Sequence, residues 1–481
     1  MDIVKTMSGL TACFLTVDIT PPEDGHPLLG YFNQRLSHGV LDSLHARLAL
    51  FSQGGEALVL AQIDTCLIPA DTAQRLCAAV SRGAGRGTGL SRERIMVFAS
   101  HTHTAPALAD LYDVRRDEAY AEFLEARMES AASRLGTGKA VRLRLGRGHA
   151  PGLASNRRWH LKDGRFATNP PRGHPLLDRP EGPVDDEVNT GAFVAQDGSI
   201  LGMLVSISNH ADTVGGTSIS ADWPGLLEVE VGVALGSQPV VIPVIGAAGN
   251  INHFDFSRTV EQTPGRQRFA NRARSAREQD RESPSHAEAR RIAHGYAEAV
   301  VGSLQRGVNA ETLPLGWAME TAAVPGIEID PTDLARARDL IALPLVARAA
   351  ADLTAEDIFR DDPSVERMFA QSLVDLAERG PLDHHVPLQA FRIGSLGLFA
   401  IPGEPFVETG LALKRTEGFD VVMPVGLANG YFGYIPPTEC FTRGGYEVKP
   451  GPALLSRDAE RLVSSVLQRL AQRLRGREQM L

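Results

Sequence analysis

Residues 95–106 read Ile-Met-Val-Phe-Ala-Ser-His-Thr-His-Thr-Ala-Pro, a buried-strand pattern followed at once by a polar turn with two histidines. Short apolar runs that end in polar loops recur at residues 202–213, 240–255 and 396–406. Amphipathic stretches with apolar residues at helical spacing lie between such runs, as in residues 117–135. This alternation predicts an α/β fold whose chemistry lies at the ends of strands.

Composition limits the class of protein. The chain has 481 residues, a formal net charge of −9 and 43% hydrophobic residues. The acidic balance provides no positive field for nucleic acid or an anionic membrane. The hydrophobic share suits a packed globular protein, and the length fits two or three domains or one large domain. No apolar run approaches the roughly 20 residues of a membrane-spanning helix.

The cysteines indicate a reducing compartment. There are four, none in a CxxC pair, which is too few to crosslink a chain of this size. Residues 1–22 contain no cleavage site typical of a secretory leader. We therefore expect free thiols and a cytoplasmic protein.

Two segments differ from the rest of the chain. Residues 256–285 are polar and arginine-rich, which predicts a solvated surface insertion, with an anion-binding patch as the alternative. Residues 326–380 have helical periodicity and form either a cap over a site or a packed outer layer.

The two histidines after the first quoted strand, His101 and His103, are the sharpest local signal. Side chains two apart at a strand end point the same way, so both imidazoles can face one metal ion. A pair of hydrogen-bonded loop histidines is the alternative. A binuclear site of the metallo-β-lactamase type is disfavoured, because Ala105 and Pro106 follow where further ligands would be needed.

Other strand ends supply further candidate ligands. A catalytic metal usually takes about three nitrogen or oxygen ligands from the protein. His210 follows one apolar strand, and Glu404 follows another on a turn bracketed by proline and glycine. His253 and Asp255 form a third polar strand end, where a turn-stabilising aspartate is the common explanation.

Several motifs occur in an order that identifies a family. They are DITPP (18–22), SHTHTAP (100–106), NHADT (209–213), AAGNIN (247–252), IPGE (401–404) and NGYFGY (429–434). With these motifs the chain resembles, over roughly residues 13–450, the neutral/alkaline non-lysosomal ceramidases, in particular their shorter bacterial members. This resemblance implies one large α/β catalytic domain over residues 1–481, with two central mixed β-sheets flanked by helices.

The resemblance also implies a ligand set. In the family, one zinc ion is bound by the first histidine of the HTH segment, a later histidine, the PGE glutamate and the second tyrosine of the last motif. The matching residues here are His101, His210, Glu404 and Tyr434.

The remaining family positions carry over in the same way. His103, Arg157 and Tyr446 match catalytic residues, and Gly30 and Asn252 match positions beside the substrate. We expect His103 to move a proton or to donate to the oxyanion, Tyr446 to donate a hydrogen bond, and Arg157 to orient the substrate.

One family segment differs in this chain. Residues 249–254 read GNINHF where ceramidases have Gly-Asp-x-Ser-Pro-Asn, so Asn252 replaces the serine once proposed as a nucleophile. The chain also ends soon after its last predicted helix, so we expect no C-terminal immunoglobulin-like domain and a substrate other than ceramide.

The function predicted from the sequence is zinc-dependent hydrolysis of an amide (C–N) bond by an activated water. The substrate is expected to be a small or amphiphilic N-acyl compound. Ester or lactone hydrolysis, or a metal-assisted isomerase or lyase step, is the alternative, because fold and metal do not fix chemistry. A non-catalytic binding protein is the third interpretation, and a homo-oligomer is compatible with all three.

Overall fold

A computed structural model gives the structure of this chain. It describes residues 9–85, 89–259, 284–310, 314–344, 355–380 and 382–476.

The larger central sheet is mixed, with nine strands among the described residues. Its edge pairs, β13 with β14 and β5 with β6, are parallel, and the other pairs are antiparallel. These edge strands are almost wholly buried, which explains their nearly unbroken apolar sequences. In spatial order the strands are β14 (Val240–Ile245), β13 (Ile200–Ile207), β12 (Glu187–Ala195), β7 (Lys139–His149), β1 (Thr11–Asp18), β4 (His45–Gln53), β5 (Glu56–Ile63) and β6 (Ile95–Ala99), and β16 (Val308–Asn309) pairs with β7.

The second central sheet has four strands within the described ranges and is also mixed. Its first two pairs are antiparallel, and the last pair is parallel. The order is β17 (Leu315–Pro325), β18 (Asp383–Ile393), β19 (Leu396–Ala400) and β21 (Val421–Val425).

The two sheets pack against each other through a shared apolar core. Phe51 and Phe193 of the larger sheet, with ring centroids 4.6 Å apart, belong to one buried cluster with Phe391 and Met423 of the second sheet. Each of these side chains is removed from water completely, which stabilises the fold by roughly 1.5–3 kcal/mol per large side chain.

Helices cover the outer faces of this sandwich. Within the described ranges, helices on the larger sheet and on the second sheet each bury one apolar face. Asp117 caps α2, and Asp330 and Asp362 cap α5 and α7 just before a proline at the first helical position. The helices are α1 (Ala70–Ala84), α2 (Glu118–Ala132), α3 (Asp222–Leu235) and α4 (Pro284–Arg306) on the larger sheet, α10 (Ala459–Gly476) on the second, and α5 (Pro331–Ala342), α6 (Ala355–Phe359), α7 (Pro363–Arg379), α8 (Val407–Leu413) and α9 (Cys440–Arg443) elsewhere.

Short ladders organise the connecting loops. The pairing of β20 with β22 sets Glu404 directly opposite Tyr434, and the pairing of β8 with β15 sets Asn252 opposite Ser155. These short strands are β2 (Pro27–Leu28) with β3 (Arg35–Leu36), β8 (Ser155–Asn156) with β15 (Ile251–Asn252), β20 (Glu404–Pro405) with β22 (Tyr434–Ile435), and the trio β10 (Phe166–Thr168), β9 (Arg158–Leu161) and β11 (Leu177–Pro180).

The chain that leaves β21 joins the two sheets at one end. Asn429 N–H donates to the Val97 carbonyl of β6 over 2.8 Å, and Gly426 N–H donates to the Ile245 carbonyl of β14 over 2.9 Å. The ends of β6, β14 and β21 therefore meet, and the loops that follow them face a common region.

The predicted α/β class, with two central mixed sheets and flanking helices, is confirmed. Residues 326–380 are helical where they are described, whereas their role as a cap stays a prediction. Most of the predicted insertion, residues 260–283, lies outside the described residues. In the described part of the chain, every helix is too short or too polar to cross a membrane.

Candidate metal centre

His101 begins the loop after β6 in a strained backbone conformation. Its φ is +66°, which is uncommon for a non-glycine residue and often marks functional positions. Its Nδ1 lies 2.8 Å from the Cys66 carbonyl oxygen. Because a carbonyl only accepts, Nδ1 carries a proton, and Nε2 is the nitrogen that faces Glu404.

His210 follows β13 and has the same arrangement. Its Nδ1 donates to the Ala248 carbonyl over 2.9 Å, and Trp223 Nε1 donates to the His210 carbonyl over 2.7 Å. Both contacts fix the ring, and its Nε2 is left as an acceptor. Backbone carbonyls that fix histidine tautomers in this way are typical partners of metal-binding imidazoles.

Glu404 completes the group. Its Oε2 lies 3.4 Å from Nε2 of both His101 and His210 and accepts no hydrogen bond from the described residues. Burial would raise the pKa of this carboxyl, but the two imidazoles hold its pKa well below the usual range. Glu404 is therefore an anion.

The three candidate ligand atoms lie within 4.8 Å of one another, and all three residues are buried. Burial lowers the pKa of His101, but the Glu404 carboxylate outweighs this and raises it well above 6.5, so a proton on His101 balances this carboxylate oxygen when no metal is bound. A metal ion that replaces that proton can bind Nε2 of both imidazoles and the carboxylate oxygen. This nitrogen and oxygen donor set suits zinc. The residues present therefore fit the metal that the sequence predicted.

Tyr434 lies beside this group on β22, opposite Glu404. Its ring is 7% exposed, and the Arg157 guanidinium carbon lies 5.3 Å from the ring centroid. Burial and the nearby Glu404 carboxylate raise the pKa of the phenol well above its ordinary value. The structure thus brings Tyr434 next to Glu404, and its role as a ligand stays a prediction.

His103 packs edge-on against His101, with ring centroids 4.8 Å apart and the two Nε2 atoms separated by 3.4 Å. Burial and the charge of His101 lower the pKa of His103 well below 6.5, so its ring is neutral. Gly30 lies against this ring, and a Cβ at that position would be 2.4 Å from His103 Cγ. The predicted close approach of the early loop is therefore made to His103.

Arg157 reaches the centre from the loop between β8 and β9. Its Nη1 lies 3.2 Å from His210 Nε2, and its Nε donates to Glu447 Oε1 over 2.9 Å. Glu447 also accepts from Arg158 and Thr168, over 2.6 Å and 2.7 Å. Two arginines are thus held by one buried carboxylate.

Tyr446 stands in an aromatic cluster next to Tyr434, with ring centroids 5.6 Å apart. Its hydroxyl lies 2.9 Å from the hydroxyl of Tyr112, and burial raises the pKa of Tyr446 above its ordinary value. Phe32 and Phe369 pack edge-on in the same cluster. Both phenols are therefore protonated and can donate hydrogen bonds.

The third polar strand end has a different arrangement. Asn252 Nδ2 donates to Asp212 Oδ2 over 3.3 Å, and His253 Nδ1 lies 3.1 Å from Asp212 Oδ1. Asp255 accepts from the backbone N–H and hydroxyl of Ser257, which is the turn-stabilising role expected of it. The position of Asn252 beside a substrate stays a prediction.

Three residues of the site were missed by the sequence analysis. Tyr431 donates to Glu404 Oε1 over 2.9 Å, Glu447 holds the arginines, and Asp212 binds Asn252 and His253 at the end of β15. Tyr431 and Glu447 lie inside or beside recognised motifs, and that proximity was the available signal. Nothing in the sequence indicated the partners of Asp212.

Comparisons with known proteins concern the fold. The fold is similar to a crystal structure of the neutral ceramidase from Pseudomonas aeruginosa, with a TM-score of 0.69 and 18% identity, over 98% of this chain and 75% of that one. A structure of a ceramidase complexed with C2 has the same TM-score at 17% identity, over 98% of this chain and 76% of that one.

Sequence comparison covers less of the chain. A neutral ceramidase of Mycobacterium tuberculosis (strain H37Rv) is 41% identical over 68 residues, which is 13% of this chain and 11% of the relative. No family model matches the chain. The resemblance predicted from the motifs is confirmed at the level of the fold: this chain has the fold of the bacterial neutral ceramidases.

Proposed function

We propose that this protein is a zinc-dependent hydrolase that cleaves an amide bond in a small or amphiphilic N-acyl compound. The observation that carries the proposal is the group of His101, His210 and Glu404, in which the Nε2 atoms of two fixed imidazoles face one carboxylate oxygen. The fold shared with ceramidases supports the choice of an amide substrate.

Zinc bound at this group would act as a Lewis acid toward the scissile carbonyl and would lower the pKa of a water molecule toward about 7. The chain provides the ligands, with Tyr434 as the fourth. Glu404 contributes the negative charge, and Tyr431 orients its carboxylate by the hydrogen bond to Oε1.

His103 is the proton carrier in this proposal. Its neutral ring lies against His101 and can accept a proton from the attacking water and return it to the leaving amine. In the net reaction, water adds to the carbonyl carbon, the C–N bond breaks, and the departing nitrogen receives the proton.

Arg157 and Tyr446 act on the carbonyl oxygen. Glu447 holds the Arg157 guanidinium beside His210, where it can bind negative charge that develops on that oxygen. Tyr446 supplies a second donor from the aromatic cluster. The same groups would serve an ester, so the substrate panel below includes one.

The test begins with metal analysis. Purified protein should contain about one zinc ion per chain, and His101→Ala should lose both zinc and turnover of N-acyl amides. His103→Ala should keep zinc and lose turnover. His294→Ala is a suitable control, because this histidine is 61% exposed and pairs with Glu230 on α3.

The substrate panel contains N-acyl amides from short polar to long-chain and the matching esters. Cleavage of amides, with loss in both site variants, supports the proposal. Full metal retention in His101→Ala would contradict the ligand assignment, and cleavage restricted to esters would replace the amide reaction by ester hydrolysis.

The four cysteines are free thiols, one half-buried and three buried, which supports a reducing compartment and hence a cytoplasmic location. Fractionation of cells that express the protein tests this location.

A further inference from the structure

Two residues of the segment that departs from the ceramidase pattern bind the same carboxylate. Asn252 and His253 stand where the family has serine and proline, and both bind the carboxylate of Asp212. Each of the two Asp212 oxygens receives one of these bonds, at 3.3 Å and 3.1 Å. A carboxylate has about four lone-pair positions, so acceptor capacity remains on both oxygens.

Asp212 lies near the candidate site, because it follows the candidate ligand His210 by two positions and its charge acts on the His103 ring. Arg35 links the loop that follows Asp212 to His103. Its Nη1 donates to the Gly216 carbonyl and its Nη2 donates to the His103 carbonyl, each over 2.6 Å. The Asp212 side chain is 17% exposed, whereas His253 is fully buried. The carboxylate is therefore accessible from one side only.

Hydrogen bonds to Asp222 and Asp42 hold the loop that follows Asp212. Asp222 accepts from the Val214 backbone N–H over 2.7 Å, and Asp42 accepts from the Ser220 hydroxyl and the Ala221 N–H over 2.6 Å and 2.7 Å. These bonds fix the position of Asp212 before any ligand arrives, which reduces the entropy lost on binding.

Asp212 has no arginine or lysine partner among the described residues, unlike several other carboxylates inside the protein. Asp64 pairs with Arg47, Asp185 with Lys414, and Glu447 with Arg157. Among the residues that the structure describes, Asp212 pairs only with a histidine and accepts from one amide. The Asp212 carboxylate can therefore pair with a positively charged group of a bound ligand.

We propose that Asp212 is a specificity-determining residue that binds a protonated amine on the substrate, close to the scissile amide. The substrate class is then an N-acyl compound with a free ammonium group, such as a mono-acylated diamine. This inference deepens the proposed function and rests on it for the position of the amide.

Binding measurements test the inference independently of turnover. Isothermal titration of the zinc-loaded protein compares N-acetylethylenediamine with N-propylacetamide, in which a methyl group replaces the ammonium. The wild type should bind the amine at least about tenfold more tightly, because a buried acceptor rejects an analogue that lacks the donor. In Asp212→Asn the two affinities should become nearly equal.

The matched control is Asp255→Asn, which removes a carboxylate from the same segment and should leave the preference unchanged. If the wild-type protein binds the two amides with equal affinity, the inference is wrong, and no variant is needed to show it. An equal loss of affinity for both amides in Asp212→Asn also overturns it, because this result would show a purely structural role. Preferred binding of the amine without cleavage would contradict only the proposed function.

Discussion

Gly30 offers a sharp test of the role of His103. This glycine has a φ of +126°, and a Cβ placed on it would lie 2.4 Å from His103 Cγ and 2.6 Å from His103 Cβ. Alanine at this position is therefore unfavourable for two reasons: its backbone is strained at this positive φ, and its Cβ overlaps the His103 side chain.

The magnitudes follow from these distances. A non-glycine residue held in such a backbone conformation costs on the order of 1–3 kcal/mol. Ordinary carbon contacts begin near 3.5 Å, so the imidazole of His103 must retreat by about 1 Å. A displacement of about 1 Å of a catalytic group can reduce turnover by about 100-fold. We expect Gly30→Ala to lower kcat by at least that factor while the zinc content stays at the wild-type level.

The assay compares kcat on the best amide of the panel with zinc content and thermal stability. Gly25→Ala is the matched control, because Gly25 has a φ of +93° and nothing lies within 4 Å of its Cβ position. This control should lose stability by a similar amount and keep its kcat. If Gly30→Ala kept kcat within about threefold of the wild type, the position of His103 would have no catalytic importance.

Three further changes test other parts of the site. Tyr431→Phe removes the hydrogen bond to Glu404 Oε1 and should weaken zinc binding about 10- to 100-fold in a chelator competition. Glu447→Gln leaves two buried arginines without their shared anion and should lower the free energy of unfolding by roughly 3–5 kcal/mol in urea. Burial raises the pKa of Asp222 to about 6, above its unfolded value near 4, so the folded state binds this proton more tightly. Its contribution to stability should therefore fall by about 3 kcal/mol as the pH rises from about 4 to about 6, and the Asp222→Asn variant should lack this slope.

Controls accompany these three predictions. Tyr446→Phe removes a different hydroxyl of the site, the one that bonds Tyr112. If this variant keeps the zinc affinity of the wild type, the weaker binding of Tyr431→Phe is due to the lost hydrogen bond to Glu404. Glu366→Gln breaks an exposed pair with Lys449 and should cost less than about 1 kcal/mol. A Glu447→Gln cost equally small would refute the shared-anion explanation. Parallel stability curves for wild type and Asp222→Asn would show that this carboxyl titrates normally.

The sequence was informative about the ends of strands. His101 and Glu404 were found because apolar strands predict where the backbone stops and a polar loop begins. Residue spacing does not determine which strand ends meet, and the family resemblance supplied that grouping. The order of the larger sheet was likewise beyond the sequence, because β1 pairs with both β4 and β7 through contacts distant along the chain.

The contacts of the missed residues depend on tertiary structure. Tyr431 reaches Glu404 only because the ladder of β20 and β22 sets the two loops side by side. Glu447 reads as a surface carboxylate in the sequence, yet it is fully buried between two arginines. Asn252 was matched to a serine by its place in the GNINHF segment, whereas its amide donates to Asp212.

The distances along the chain between the candidate ligands have a consequence for biosynthesis. His101 and His210 leave the ribosome long before Glu404 and Tyr434, which lie more than about 190 residues further along the chain. The carboxylate that faces both imidazoles is positioned by the ladder of β20 and β22, so a nascent chain lacks it until this ladder forms. Under the proposed function, tight binding of zinc therefore follows the formation of this ladder rather than the synthesis of the two histidines.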